Sequence, residues 1–313
     1  LLTAQRFTLL AGAALFGTGL LLFIGNVALT LARIPRRDLT WWCIAGAGFF
    51  LAATVALGVT LAGNLHYGYL GGSRLLVLGV HAHIAIAGWV LLVVVGVARH
   101  LLPMFLISHG APLRPAKSAA ALLGTGVMLL VVGYHMGDVV GYTLPALLIA
   151  AGTAAFLVQA ALFFRHRKRP RLDAGMRLAA AALVVLAFAL VLAPFTFTRG
   201  FGAPRLATAY GAALVLGLAL FVAGHLYKIL PFLVWNHRYG PLIGKRPLPR
   251  VADLFDARAA NVAAALLALG TSVLIGAVLA GAAAWTRFAA ALIAAGASTL
   301  TVQMITVLRR RPE

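Results

Sequence analysis

Apolar residues run along this chain in blocks of twenty or more, separated by short polar segments that hold nearly all of its lysines and arginines. A helix needs about 20 predominantly apolar residues to cross the hydrocarbon core of a bilayer. By that measure the blocks predict nine spans, at about 7–32, 41–63, 75–105, 118–136, 139–164, 177–198, 206–235, 258–281 and 284–308. The fold class is therefore all-α, a polytopic membrane helical bundle forming a single transmembrane domain over residues 1–313. The fourth and fifth spans are parted only by Gly137 and Asp138, where the carboxylate resists burial and the glycine suits a tight turn. The first block is too long for a signal-peptide core and lacks a basic flank with a small-residue cleavage site, so it is expected to be a retained helix.

Composition agrees, at 63% hydrophobic and 10% charged. A formal net charge of +20 would point to nucleic acid in a soluble chain. Here the charge lies in loops between spans, where it has a topogenic role, and no nucleic-acid partner is expected. With nine spans, twenty-one of the 26 Lys and Arg residues fall on one side and five on the other. This places the N-terminus outside and the C-terminus in the cytoplasm of a cell inner (plasma) membrane, with the lipid bilayer as the first partner. The run RHRKRPR at 165–171 fits the same reading better than a headgroup site. The single cysteine, Cys43, excludes a disulfide framework, a thiolate metal cluster and covalent attachment of a c-type haem.

Polar chemistry inside the spans concentrates in GVHAHIAIAGWVLLVVVGVARHLLPMF, residues 79–105. Imidazoles inside hydrocarbon need a partner, a cavity or a ligand, so His81 and His83 are functional candidates. Two residues apart on a helix, their rings point roughly 200° from one another and serve different partners. His135, with Tyr134 and Asp138, returns to the same depth on the fourth span, and His66 lies in the loop before the third. Neutral imidazole is a strong iron ligand, which makes His81, His83 and His135 the candidate metal ligands of a non-covalent haem. Gly79 and Gly88 are expected to leave room for its flat ring, Trp89 to wall it, and Arg74 to meet a propionate. The rival reading is a hydrogen bond from each histidine to a neighbouring helix. A second, inner site is drawn from His225, His100, Tyr227 and Lys228, against which stands an ordinary interfacial cluster of snorkelling side chains. No catalytic residue is assigned.

The seventh span ends GHLYKILPFLVW and the third ends ARHLLPMF. Pairing Pro103 with Pro231 sets His100 against Lys228 and suggests a weak repeat of four-helix units relating the third and seventh spans.

HAHIAIAGW, followed by an aliphatic helix ending HLLPMF, resembles the histidine-bearing helix of the haem-copper oxidase superfamily, including its subunit-I-like and NnrS-type relatives of nitric-oxide metabolism. The resemblance implies haem b with His81 or His83 as an axial ligand, a copper beside it as a lesser expectation, and an oxidoreductase role in electron transfer or in binding or reducing a diatomic gas such as nitric oxide. An electron donor or other membrane subunits would then be partners. Too few histidines lie at one depth for the full oxygen-reducing site, and the chain has nine spans rather than the family's twelve helices. The alternative is a non-enzymatic transporter, a haem or copper assembly factor, or a structural subunit of a larger membrane complex. A quinone-handling role would use His225, Tyr227 and Lys228.

Overall fold

The computed structural model describes residues 2–69, 74–136 and 139–311, with the side chains of residues 2–7, 9, 66, 74, 134–136, 139, 140 and 201 outside that description. It is all-α among those residues. Nine helical stretches are long and apolar enough to cross a membrane, as the hydropathy pattern predicts. They are built from α1 (Leu2–Ala32), α2 (Leu39–Tyr67), α3 (Arg74–His83), a π-helix (Ile84–Leu91), α4 (Leu92–Leu106), α5 (Arg114–Met136), α6 (Val139–Arg165), α7 (Ala174–Arg199), α8 (Pro204–Arg238), α9 (Ala257–Ala280) and α10 (Ala283–Arg309). The third span is one continuous rod made of α3, the π-helix and α4, where the sequence predicts a uniform α-helix. The Gly137-Asp138 turn lies outside the described residues.

Large apolar side chains such as Leu15, Phe16, Leu22 and Leu147 are exposed, which a lipid solvent permits. Inside, alanines and glycines stand among larger side chains at the closest helix contacts, because helices in lipid associate through close packing rather than through exclusion of water.

Packing divides the chain into two compact units, Leu1–Met104 with His109–His166, and Phe105–Ser108 with Arg167–Glu313. Their internal designs correspond. In the first, a Cβ on Gly126 would sit 2.9 Å from Ile149 Cγ1 and one on Gly152 2.8 Å from Leu123 Cγ, so α5 and α6 meet at these two glycines. In the second, Gly270 meets Ile293 and Gly296 meets Leu267, each at 2.8 Å, and every residue in this set lies 144 positions after its counterpart. The same offset relates two buried hydrogen bonds that tie hairpin ends together. Gln159 Oε1 accepts from the Ala116 N–H at 3.0 Å. The Gln303 side-chain oxygen accepts from the Ala260 N–H at 2.8 Å.

A second correspondence involves the preceding pair of spans. A Cβ on Gly96 would meet Cys43 Cβ at 2.5 Å, and one on Gly224, 128 positions later, would meet Gly175 O at 2.5 Å. Asp38 caps α2 by accepting from the Trp41 N–H at 3.0 Å, and Asp173 caps α7 by accepting from the Met176 N–H at 3.1 Å. Each capping carboxylate also pairs with a cation from the neighbouring span. Arg99 Nη1 lies 3.3 Å and His100 Nε2 3.6 Å from Asp38, while Lys228 pairs with Asp173. Pro103 and Pro231 both sit inside helices. The two units thus repeat one four-helix plan, with α1 added to the first.

Candidate functional site

The repeat explains the π-helix. Gly88 packs against Phe50 and Val127, and Gly217 occupies the matching notch against Val185 and Leu186. Gly96 follows Gly88 by eight residues, whereas Gly224 follows Gly217 by seven. One additional residue between two fixed contacts cannot be absorbed by an α-helix without turning a packing face away, and the wider π turn takes it up. The glycine spacing carried this signal in the sequence.

The insertion follows directly on the two imidazoles. His81 is half-buried with its ring against α2, where a Cβ on Gly58 would sit 3.2 Å from Cε1, and its buried Nδ1 has no hydrogen-bond partner among the described residues. His83 donates from Nδ1 to the Gly79 carbonyl at 2.8 Å, which fixes its neutral tautomer with Nε2 as the basic nitrogen. At the matching positions of the second unit stand Tyr210 and Ala212, so the four-helix plan forms without either imidazole.

Room for a flat ring at Gly88 is not found. A Cβ there would lie 2.8 Å from Phe50 Cγ and 2.9 Å from Val127 Cγ1, so that face is closed by protein side chains. Trp89 is half-buried beside it. The side chains of Arg74, His135, Tyr134 and His66 lie outside the described residues, so the proposed propionate partner and third metal ligand are not placed. Among the described residues, no three His, Cys, Asp or Glu side chains gather as a metal-ion ligand set.

The inner set of His225, His100, Tyr227 and Lys228 resolves into separate tasks. His100 serves the Asp38 cap of the first unit and Lys228 the equivalent Asp173 cap of the second, which gives both a structural role. The Trp41 N–H first, then Arg99 and His100, hold the Asp38 carboxyl below its usual range against the opposing effect of burial. His225 is buried at 5% exposure and donates from Nδ1 to the Phe221 carbonyl at 2.8 Å, leaving Nε2 without a partner among the described residues. Its ring lies 4.3 Å from the Phe221 ring centroid and 5.9 Å from that of Phe105. Tyr227 packs on Phe255 with its buried hydroxyl also unpartnered. Capping cations and orphaned polar groups look alike in the sequence, because the partners Asp38 and Asp173 lie more than fifty residues away.

The chain matches no protein-family model, and no curated protein matches it.

Proposed function

We propose that this multi-pass membrane protein binds haem b non-covalently through an imidazole of its third span and acts in electron transfer or in binding or reducing a diatomic gas such as nitric oxide. The observation that carries the reading is the pair His81 and His83 at the start of a π-helical insertion that the second unit lacks. A polar group held in an apolar span without a hydrogen-bond partner is costly, by about 1–3 kcal/mol for a buried donor or acceptor. Among the described residues His81 Nδ1 is such a group, and the second unit forms the same plan with Tyr210 in its place.

Neutral imidazole is a donor suited to iron. Metal-ligating histidines are oriented by a hydrogen bond from the other ring nitrogen, and the Gly79 carbonyl supplies one to His83. Gly58 lets the His81 ring seat against α2 and limits its rotation. Bound haem would supply one-electron redox chemistry, with an open axial position required for a gas and none for electron transfer alone. A second reading, transient handling of haem or copper by a non-enzymatic transporter or assembly factor, is favoured by the closed Gly88 face, which leaves no standing slot beside that glycine.

The test is a reduced-minus-oxidised visible spectrum of detergent-purified protein expressed with ample haem, repeated with carbon monoxide and with His81→Ala and His83→Ala. A haem b signal lost in either variant supports the proposal, and a carbon monoxide shift selects gas chemistry. Protein without haem under these conditions refutes it and leaves the transient-handling or structural reading.

A further inference from the structure

The two units differ in one other place. From Pro103 to Gly126 is 23 positions, and from Pro231 to Gly270 it is 39, so the second unit carries sixteen additional residues in the loop after its proline-bearing span. That loop is not slack. Trp235 Nε1–H donates to the Pro249 carbonyl at 2.7 Å, and Leu254 is fully buried with Val234, Tyr239 and Val307. The C-terminal segment is stapled to the same floor. Arg238 donates to the Arg310 carbonyl, Arg310 Nη1 donates to the Asp253 carbonyl at 2.9 Å, and the Tyr239 hydroxyl donates to the Arg311 carbonyl at 3.4 Å.

Between loop and C-terminal segment lies a partly open cleft of about 600 Å³, lined by Arg246, Arg310, Arg311, Tyr239 and the prolines 247 and 249. Among the described residues, no carboxylate lines it. Of the two acidic residues of this loop, Asp253 accepts from both Arg250 Nε and Arg250 Nη2 while also lying within the field of Arg310, and Asp256 caps α9. Topogenic charge requires only that arginines lie on one side of the membrane. It does not require three of them to line one braced cleft at the ends of two spans, where Arg310 is in addition held on the Asp253 carbonyl.

We infer that this cleft is a binding site for a phosphate-bearing anion. Guanidinium groups present paired N–H donors that match phosphate oxygens, and they keep their charge at every physiological pH. The volume falls within the usual range for small-molecule sites, about 300–1,000 Å³. Because α8 and α10 end here, at the level where membrane spans give way to loops, the phosphate of an anionic lipid can reach it as readily as a soluble one.

The test uses the full chain in neutral detergent, titrated separately with short-chain phosphatidic acid, short-chain phosphatidylcholine and inorganic phosphate, and read by thermal stabilisation and by native mass spectrometry. The comparison is with Arg246→Gln/Arg311→Gln and with Arg165→Gln/Lys168→Gln, which removes two charges from another basic loop. Phosphatidic acid is expected to act on the wild type and the control at concentrations at least about tenfold lower than on the Arg246/Arg311 variant, a difference of about one decade in Kd. Stabilisation by phosphatidic acid alone assigns the site to lipid, and stabilisation also by inorganic phosphate assigns it to a soluble phosphate compound. An equal response of wild type and Arg246/Arg311 variant, or an equal loss in the control, overturns the inference. Should the double variant prove unstable, Arg246→Lys keeps the charge but loses the fork, and an affinity unchanged from wild type would overturn it too.

Discussion

The close approach of α7 and α8 gives the sharpest quantitative test of the repeat. In Gly224→Ala the new Cβ would lie 2.5 Å from Gly175 O and 2.9 Å from Ala179 N, where real Cβ contacts under 3.0 Å essentially never occur. Both obstacles are backbone atoms, so no rotamer change relieves them, and α7 must move away by about 0.5 Å or more. A radial gap of 0.5–1 Å forfeits about a quarter to a half of each van der Waals contact along the seam. For Leu186 alone, packed in the Gly217 notch, losing a quarter of roughly 40–60 contacts at ~0.1–0.2 kcal/mol each removes about 1–3 kcal/mol. The usual penalty for overpacking is the same size, about 1–3 kcal/mol. At roughly 2–4 °C per kcal/mol for a unit of this size, Tm should fall by about 2–12 °C. The control is Gly211→Ala on the same helix, where nothing lies within 4 Å of the added Cβ and alanine should stabilise by roughly 0.5–1 kcal/mol through backbone entropy. Thermal unfolding of both variants in one detergent, followed by size-exclusion chromatography, makes the comparison. A Gly224→Ala protein as stable as Gly211→Ala would refute the backbone contact on which α7 and α8 are built. Gly175→Ala forces the same separation, so the double variant should lose less than the sum of the single losses.

Other expectations follow from the same contacts. His225→Phe removes a buried Nε2 that has no partner among the described residues together with the Nδ1–H bond to the Phe221 carbonyl, so the two effects should roughly cancel and stability should change by no more than about 1 kcal/mol; a fall of more than ~2 kcal/mol in a thermal melt would mean that Nε2 has a structural partner. Asp38→Ala should cost about 1 kcal/mol at pH 7 through loss of the helix cap. Asp38→Asn keeps the cap and deletes the charge. Because the folded carboxyl titrates below the ordinary 3.8, its contribution is present above pH 4 and is lost as pH falls through the folded value. A melt series from pH 7 to pH 3 should therefore decline for the wild type more than for Asp38→Asn, and parallel curves would contradict the ion-pair assignment. Thr40→Val deletes the 2.8 Å bond from Oγ1 to the Gly96 carbonyl and should cost about 0.5–1.5 kcal/mol by the same assay, with no loss if the bond is absent in the membrane.

Nine spans and their approximate limits were legible in the chain, because a bilayer imposes length and hydropathy on each span independently of its neighbours. His81 and His83 were legible as candidates for the same reason, since an imidazole in hydrocarbon stands out wherever it packs. The repeat could be glimpsed in Pro103 and Pro231, but its substance lies in small contacts between residues far apart. Which glycine faces a backbone, and which glutamine ties which hairpin, depends on helix pairing that hydropathy does not encode. The tertiary structure alone turned His100 and Lys228 from site candidates into partners of capping carboxylates, closed the Gly88 face with Phe50 and Val127, and converted one added residue into a π-helix. It also gathered Arg246, Arg310 and Arg311 around one cleft, where the sequence showed only basic loops. Each of these outcomes is set by which surfaces approach within a few ångströms, and a linear pattern fixes a residue's depth in the membrane without fixing its neighbours.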